Sequence, residues 1–398
     1  MSGIELLIDD IEGRLHAAVV RKTVLHDLYA DPLQRAAAWA SIYSGRVIKL
    51  DKNLDAAIID LGNGLQGILA AKHVHYAGDD TTTTRSGITD LLDTGQSVVV
   101  QVKSEAKAEN NSPRNKLPRL TMKIALIGQF LHYSPVAHQV TVSRDIKNDA
   151  ILGLTSRLGG RGGWIVQSTA EHATDELIRM EEKKLLAAWD HIAAETAKSD
   201  DTPRLLADGP DAMHRVLNDY GLHAFDHINA GNKKILNAMI AWSEKNDPSL
   251  ATSKRLRLFQ PEQANQKLFD LHDVYGELET LSDRRVALND GGDIVIEQTQ
   301  ALTVIDVNQG STASIAEANQ QAAREIARQV RLRGLSGAII VDFIGMHQKS
   351  ERLRLVEAVE EHFRDDYAQT AVHGFTRLGI IEITRKRRTA TLAEKMKK

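Results

Sequence analysis

Asp306 and Asp342 each stand at the end of a short apolar run, residues 301–305 and 337–341. A strand tip does not readily bury a free carboxylate, so two of them on neighbouring strands point to a bound cation. Asn308 lies two residues beyond Asp306, and on a continuing strand both side chains face the same way. The carboxylates offer hard anionic oxygens to magnesium, while the amide adds a neutral oxygen and an NH2 donor for a water or a phosphate. A right-handed crossover through an intervening helix would set the two strands side by side. With open positions left for water and phosphate, the chemistry such a pair suits is metal-assisted phosphodiester hydrolysis. The same residues also fit a plainer pattern, in which Asp306 opens a turn through Gln309 and Gly310 and Asp342 caps a bend. Two aspartates alone would equally suit another phosphohydrolase or an esterase. His347, five residues past Asp342, is either a local base or a surface histidine.

The elements that must position these groups are clearest from about residue 281 onward. Runs 286–288, 293–297 and 302–307 predict strands, and 314–332 predicts a helix with Ile315, Ala322, Ile326 and Val330 on one side. A strand over 338–343, a helix over 352–363 and a strand over 379–384 follow, an alternation that predicts an α/β layer with functional groups at strand ends. At the start, residues 1–35 predict strand, turn, strand, then a short helix or loop. Runs 44–50, 56–62, 65–69 and 96–103, punctuated by glycine, predict a small β-barrel. Between them, residues 79–84 lack any periodic apolar face and predict a loop. A polar stretch over 106–119 ends the barrel. Its Lys107, Arg114, Lys116 and Arg119, with Lys72 and Lys103, form either a phosphate-attracting surface or a solvated basic loop. Residues 169–195 have helical spacing, 198–210 predict a connection, and 211–280 predict helices and short alternating pieces.

At 398 residues the chain is long enough for roughly two to four domains. Its 53 acidic residues outnumber 50 basic ones, a net charge of −3. A uniformly basic nucleic-acid binder is therefore excluded, although Arg385, Lys386, Arg387 and Arg388 concentrate positive charge locally. The absence of cysteine removes disulfides, thiolate nucleophiles and cysteine-ligated zinc, and fits a reducing cytosol. The first residues lack the features of a signal peptide, and the apolar runs are too short to span a bilayer. The expectation is a soluble cytoplasmic protein.

Several stretches together resemble the ribonuclease E/G family of bacterial endoribonucleases. Residues 301–308 look like its first catalytic stretch, 325–333 like the helix that follows, and 340–344 like its second catalytic stretch. Residues 44–47 and 56–62 are similar to the start of its inserted barrel, and the similarity runs in order from about residue 3 to 388. The resemblance implies a multidomain α/β protein. A ribonuclease H-like domain (1–35 and 200–277) would be interrupted by an OB-type RNA-binding barrel (36–119) and a 5′-sensor-like domain (120–199). A deoxyribonuclease-I-like α/β catalytic domain (278–398) would follow. It implies magnesium, replaceable by manganese, held by Asp306 and Asp342, with Asn308 positioning water or phosphate. It implies cleavage of single-stranded RNA to 5′-phosphate and 3′-hydroxyl ends, in RNA processing or decay. Arg328, Arg331 and Arg333, on the helix joining the two acidic strands, are candidate RNA contacts.

The departures from that family shape the expectations as well. Ile58, Leu61 and Ile68 are aliphatic where the family generally places aromatics to stack on bases, a contact of roughly 1–3 kcal/mol per base. Gln167 and Ser168 stand where the family has an Arg-Thr pair of its 5′-end pocket, and Arg377 is matched to a second arginine there. Losing a guanidinium removes a bidentate phosphate contact, so preference for a 5′ monophosphate should weaken. Gly345 and the segment 309–311 also depart from the usual pattern. Without cysteine, and with the chain reaching only to where the family's zinc link begins, no cysteine-zinc bridge between two chains is expected, which leaves other homo-oligomer interfaces open. The alternative these departures favour is an RNA-binding or regulatory relative with little or no nuclease activity.

Overall fold

The computed structural model describes residues 3–34, 37–75, 87–107, 116–158, 161–198, 202–289, 291–311 and 314–396. The predicted loop 79–84 and the candidate Arg114 lie outside these residues.

The chain begins with a three-stranded meander, Ile4–Ile11, Arg14–Arg21 and Val24–Ala30. The third strand replaces the short helix or loop expected before residue 35. Its alternation is hidden by polar residues at interior positions: Asp27 is buried beside Leu28, with a carboxyl that burial pushes up to about 6. Strand His227–Ala230 joins this sheet in parallel with Ile4–Ile11, and Leu256–Leu258 extends it.

The barrel closes through five strands. Ile42–Asp51, Ala56–Gly62 and Leu65–Ala70 pair in succession, and Leu65–Ala70 meets Arg119–Thr121 in parallel at Ile68 and Arg119. Arg119–Thr121 pairs with Ser97–Ser104, which returns to Ile42–Asp51. Ala57, Ile59 and Leu61 alternate inward onto Val47, Leu69, Val100 and Leu120, while Ile58 and Asp60 turn outward. Gly45 permits the tight wall there, since a Cβ would lie 2.6 Å from Ile59 Cγ2. The stretch expected as a plain connection over 198–210 contains strand Arg204–Ala207, which adds to the barrel edge beside Ile42–Ser44.

A four-stranded sheet follows, built from Leu126–Ile127, Leu131–Ser134, Val140–Val142 and Gly163–Val166. Helix Asp175–Ala197 packs on it through Ile178 and Leu185. The last sheet has six strands in the order Arg285–Ala287, Asp293–Gln298, Leu302–Asn308, Gly337–Asp342, Ile381–Arg385, Thr370–Phe375. Helices Ile315–Leu332 and Lys349–Phe363 bury Ala322, Ile326, Val330, Leu355 and Val359 against Ile305, Val307, Ile339 and Val341. The first of these helices is capped by Ser314, whose hydroxyl accepts from the Glu317 N–H. Among the described residues no helix is long and apolar enough to cross a membrane.

Helix Ile315–Leu332 also ties the last sheet to the first, and this accounts for its arginines. Arg328 donates to Glu325 (2.9 Å), to Glu277 (2.8 Å) and to the Leu25 carbonyl (2.9 Å). Arg331 donates to the His362 carbonyl, and Arg333 to Gln329 and the Asp283 carbonyl. The expected RNA contact at these three positions is not what their placement provides. The helix runs back from the carboxylate end of the strands, so its last turns meet protein at the opposite end. Arg328→Ala should therefore act as the loss of a mostly buried ion pair, costing about 3 kcal/mol and lowering the urea midpoint accordingly. Arg328→Lys should recover little of it, because one ammonium cannot reproduce the planar fork. An unchanged midpoint in Arg328→Ala would contradict this role.

Candidate active site and a basic cavity

Asp306 and Asp342 are register partners on adjacent parallel strands. Along Leu302–Asn308, Thr303, Ile305 and Val307 point into the helix-covered core, which leaves Asp306 and Asn308 on the opposite face. Asp342 follows buried Val341 and emerges on that same face, exposed like Asp306. The three residues singled out by sequence therefore converge.

Asn308 is held more tightly than its sequence position indicates. Its Nδ2 donates to Asp306 Oδ2 at 3.0 Å and to Asp293 Oδ1 at 3.2 Å. Asp293 sits directly across the neighbouring strand and is itself paired with Arg285 Nη1 at 2.7 Å. With both amide protons taken by carboxylates, the pole of Asn308 left for a ligand is its carbonyl oxygen. The amide is therefore an acceptor at this site, where the sequence left donor and acceptor roles equally open. Asp293 was missed, and a signal for it existed: it is a carboxylate at the start of the predicted strand 293–297, facing Asn308 once the hairpin forms.

Two further contacts fix the backbone around the pair. Buried Asn319, on the crossover helix, donates through Nδ2 to the Ile344 carbonyl (2.8 Å) and accepts from the Ile344 N–H (3.0 Å). This bracket sets the course of the chain just after Asp342. Beyond Asn308, a Cβ at Gly310 would lie 1.7 Å from the Gly291 carbonyl oxygen, so only glycine lets the two turns meet. His347 is exposed on the loop past Asp342.

Among the described residues no group of three or more His, Asp or Glu side chains has the geometry of a metal cage. Magnesium characteristically takes one or two carboxylates, keeps several waters and completes its shell with substrate phosphate. Exposed Asp306 and Asp342, with the Asn308 carbonyl beside them, fit that donor set.

A second site gathers several of the other expected residues. A cavity of about 580 Å³ is lined by Lys103, Arg119, Gln167, Ser168, Lys386 and Asp219, among others. The Gln167 wall is held by buried Glu181, which accepts the N–H groups of Gln129, Phe130 and Leu131 at 2.6, 2.7 and 2.7 Å. Gln167 N–H in turn donates to the Phe130 carbonyl. Arg377 is not brought here. It lies exposed on the turn joining Thr370–Phe375 to Ile381–Arg385, and the arginines at the cavity are Arg119, Arg385, Arg387 and Arg388. Lys107 donates to the Gln300 carbonyl and bridges to Lys116, at the end of the last sheet away from Asp306. On the barrel, Leu61 is core, whereas half-buried Ile58 and Ile68 face each other on the outside.

A family model described as the ribonuclease E/G family matches residues 125–388. Ribonuclease G of Escherichia coli strain K12 is 28% identical over 401 residues, an alignment covering 96% of this chain and 80% of that protein. Ribonuclease E of Haemophilus influenzae is 30% identical over 400 residues, covering 96% of this chain but 41% of the relative. Ribonuclease E of a Nostoc species is 32% identical over 371 residues, covering 89% and 52%.

The Asn319 bracket yields a test independent of any ligand. Asn319→Ala removes both bonds and leaves half-buried Ile344 backbone groups without their protein partner, at a cost of about 2 kcal/mol. Hydrogen exchange at the Ile344 amide should accelerate well beyond that of the Ile305 amide in the same sheet. Equal protection at Ile344 in variant and parent would show that the bracket does not set this loop.

Proposed function

The chain belongs to the ribonuclease E/G family, and we propose that it is a magnesium-dependent endoribonuclease acting on single-stranded RNA. The observation that carries this reading is the in-register pair Asp306 and Asp342 on an open sheet face, with Asn308 clamped beside it. Magnesium held by the two carboxylates would supply charge neutralisation at the scissile phosphate and activation of water. Asp306 and Asp342 would hold that ion on the open face of the sheet. Asn308, its NH2 fixed by Asp293 and Asp306, presents its carbonyl oxygen to accept a hydrogen bond from the attacking water. Water adds to phosphorus, the bond to the 3′ oxygen breaks, and the products carry 5′-phosphate and 3′-hydroxyl ends. Fixing the amide before substrate arrives removes a reorganisation cost from the reaction.

The closed five-stranded barrel supports an RNA-holding, OB-type module over residues 36–119. Lys49, Ile58, Ile68 and Arg119 are successive cross-strand partners on its outer wall, two cations flanking an aliphatic pair. Such a wall attracts phosphate and packs on a base edge without aromatic stacking. The pairing of His227–Ala230 with Ile4–Ile11 supports a discontinuous ribonuclease H-like unit from 1–35 and 200–277. The sheet over 126–166 supports the 5′-sensor-like unit at 120–199, and the six-stranded sheet supports the deoxyribonuclease-I-like unit at 278–398. RNA processing or decay in the cytoplasm is the setting this substrate implies.

The test is cleavage of end-labelled single-stranded RNA by the whole chain, with magnesium or with EDTA. Magnesium-dependent cuts should appear and fall at least about a hundredfold in Asp306→Asn and in Asp342→Asn. Asp293→Ala, which frees the Asn308 amide, should lower kcat about tenfold with RNA affinity unchanged, and Asp293→Asn should largely restore it. RNA binding without turnover by the unsubstituted, folded chain would instead make it a non-cleaving relative.

A further inference from the structure

The open face of the last sheet carries an inference that rests on the nuclease reading and deepens it. Cross-strand partners there form successive rows. Ala287, Asp293 and Asn308 make the first. Arg285, Val295, Asp306 and Asp342 make the second, and Glu297, Val304, Ile340 and Glu382 the third. Directly opposed residues point to one side of a sheet, so Arg285 shares both the face and the row of the two carboxylates. It is the one cation in these rows, beside the acids Asp293, Asp306, Asp342, Glu297 and Glu382. An RNA strand that brings one phosphate to Asp306 and Asp342 carries further phosphates onto this face, and the acids repel them. Arg285 is the group placed to receive one.

Its side chain is 71% exposed and within reach of a ligand, yet it is not loose. Nη1 donates to Asp293 Oδ2 at 2.7 Å, and Oδ1 of the same carboxylate holds the Asn308 amide. One carboxylate thus fixes the guanidinium and the amide together. Among the described residues Nε and Nη2 of Arg285 have no acceptor. Those two nitrogens form the side edge of the guanidinium, which can grip two phosphate oxygens at once.

The spacing indicates which phosphate. Arg285 and Asp306 lie two strands apart, about 10 Å at the usual strand separation, with apolar Val295 between them. The hairpin that sets this spacing is tight, since a Cβ at Gly292 would lie 2.6 Å from the Asn308 carbonyl oxygen. A phosphate on the Arg285 edge is separate from one at the carboxylates and near enough to belong to the adjoining nucleotide. We propose that Arg285, aimed by Asp293, binds the RNA phosphate next to the scissile one and so sets which linkage reaches Asp306 and Asp342.

The first arm of the test is binding by the whole chain. Fluorescent single-stranded RNA is followed by anisotropy with Ca2+ in place of Mg2+, a cation that takes the same oxygen donors, and the RNA is checked for intact length. Arg285→Gln should bind about fivefold more weakly at about 0.1 M salt. Its plot of log affinity against log salt should be shallower by about 0.7, the loss of one phosphate contact on a single strand. Arg285→Lys should keep the parent slope and recover only part of the affinity, because charge returns without the fork. The Arg285→Gln effect should persist in an Asp293→Ala background, and melting of the single surface variants should match the parent.

The second arm takes an RNA with one mapped cut and places an uncharged methylphosphonate at each linkage in turn. One linkage adjoining the cut should lower kcat/KM about tenfold in the parent and less than about twofold in Arg285→Gln. An unchanged salt slope in Arg285→Gln, an effect that vanishes without Asp293, or a methylphosphonate penalty that Arg285→Gln leaves in place overturns the proposal. Absent cleavage by the unsubstituted chain, with the Arg285 slope change intact, fails the nuclease reading alone.

Discussion

Like charges on neighbouring parallel strands repel, and Asp306 and Asp342 are held as register partners, their backbones about 4.8 Å apart. The sheet keeps them there because the hydrophobic alternation of both strands commits Ile305, Val307, Ile339 and Val341 to the core beneath two helices. Shifting either strand by one residue would bury the carboxylates and expose the core. The charge repulsion is thus built in by packing, and the magnesium ion proposed for this site would relieve it.

Around that pair the structure restricts freedom at each neighbouring position. Asp293 and Asp306 fix the amide of Asn308, Asn319 brackets the chain after Asp342, and Gly310 lets two turns interlock. Farther back, Arg328 joins the crossover helix to Leu25 and Glu277, so the site's sheet is anchored to the first one. Asp366 belongs to the same scaffold. Burial opposes its charge, but Arg385 and Thr370 outweigh burial and hold its carboxyl below the usual range. Lys103, Arg119 and Lys386, which have no carboxylate partner among the described residues, line the cavity beside Gln167.

Much of this was legible in the sequence. The strand–helix–strand alternation located the last sheet, and the spacing of Asp306, Asn308 and Asp342 placed them on one face. Glycine-separated runs foretold the barrel. Strand Val24–Ala30 was missed because its alternation is broken by half-buried His26 and buried Asp27, the latter's charge favoured by Arg331 and Arg385, distant in sequence. The arginines of the crossover helix were misread because periodicity gives a helix's faces but not which end meets protein. Arg377 illustrates the same limit: its local motif looks right, yet the hairpin carries it to an exposed tip. Asp293 and Asn319 needed strand register and a contact across 25 residues, neither of which local spacing contains.

The central claim is that Asp306 and Asp342 together form a divalent-cation site before any RNA is present. Its most direct measurement is titration of the whole chain with Mn2+, followed by electron paramagnetic resonance, for the parent and for Asp306→Asn and Asp342→Asn. The account predicts one site that magnesium displaces and that weakens at least about tenfold in each variant, with the fold intact by circular dichroism. Equal Mn2+ binding in all three proteins would contradict it.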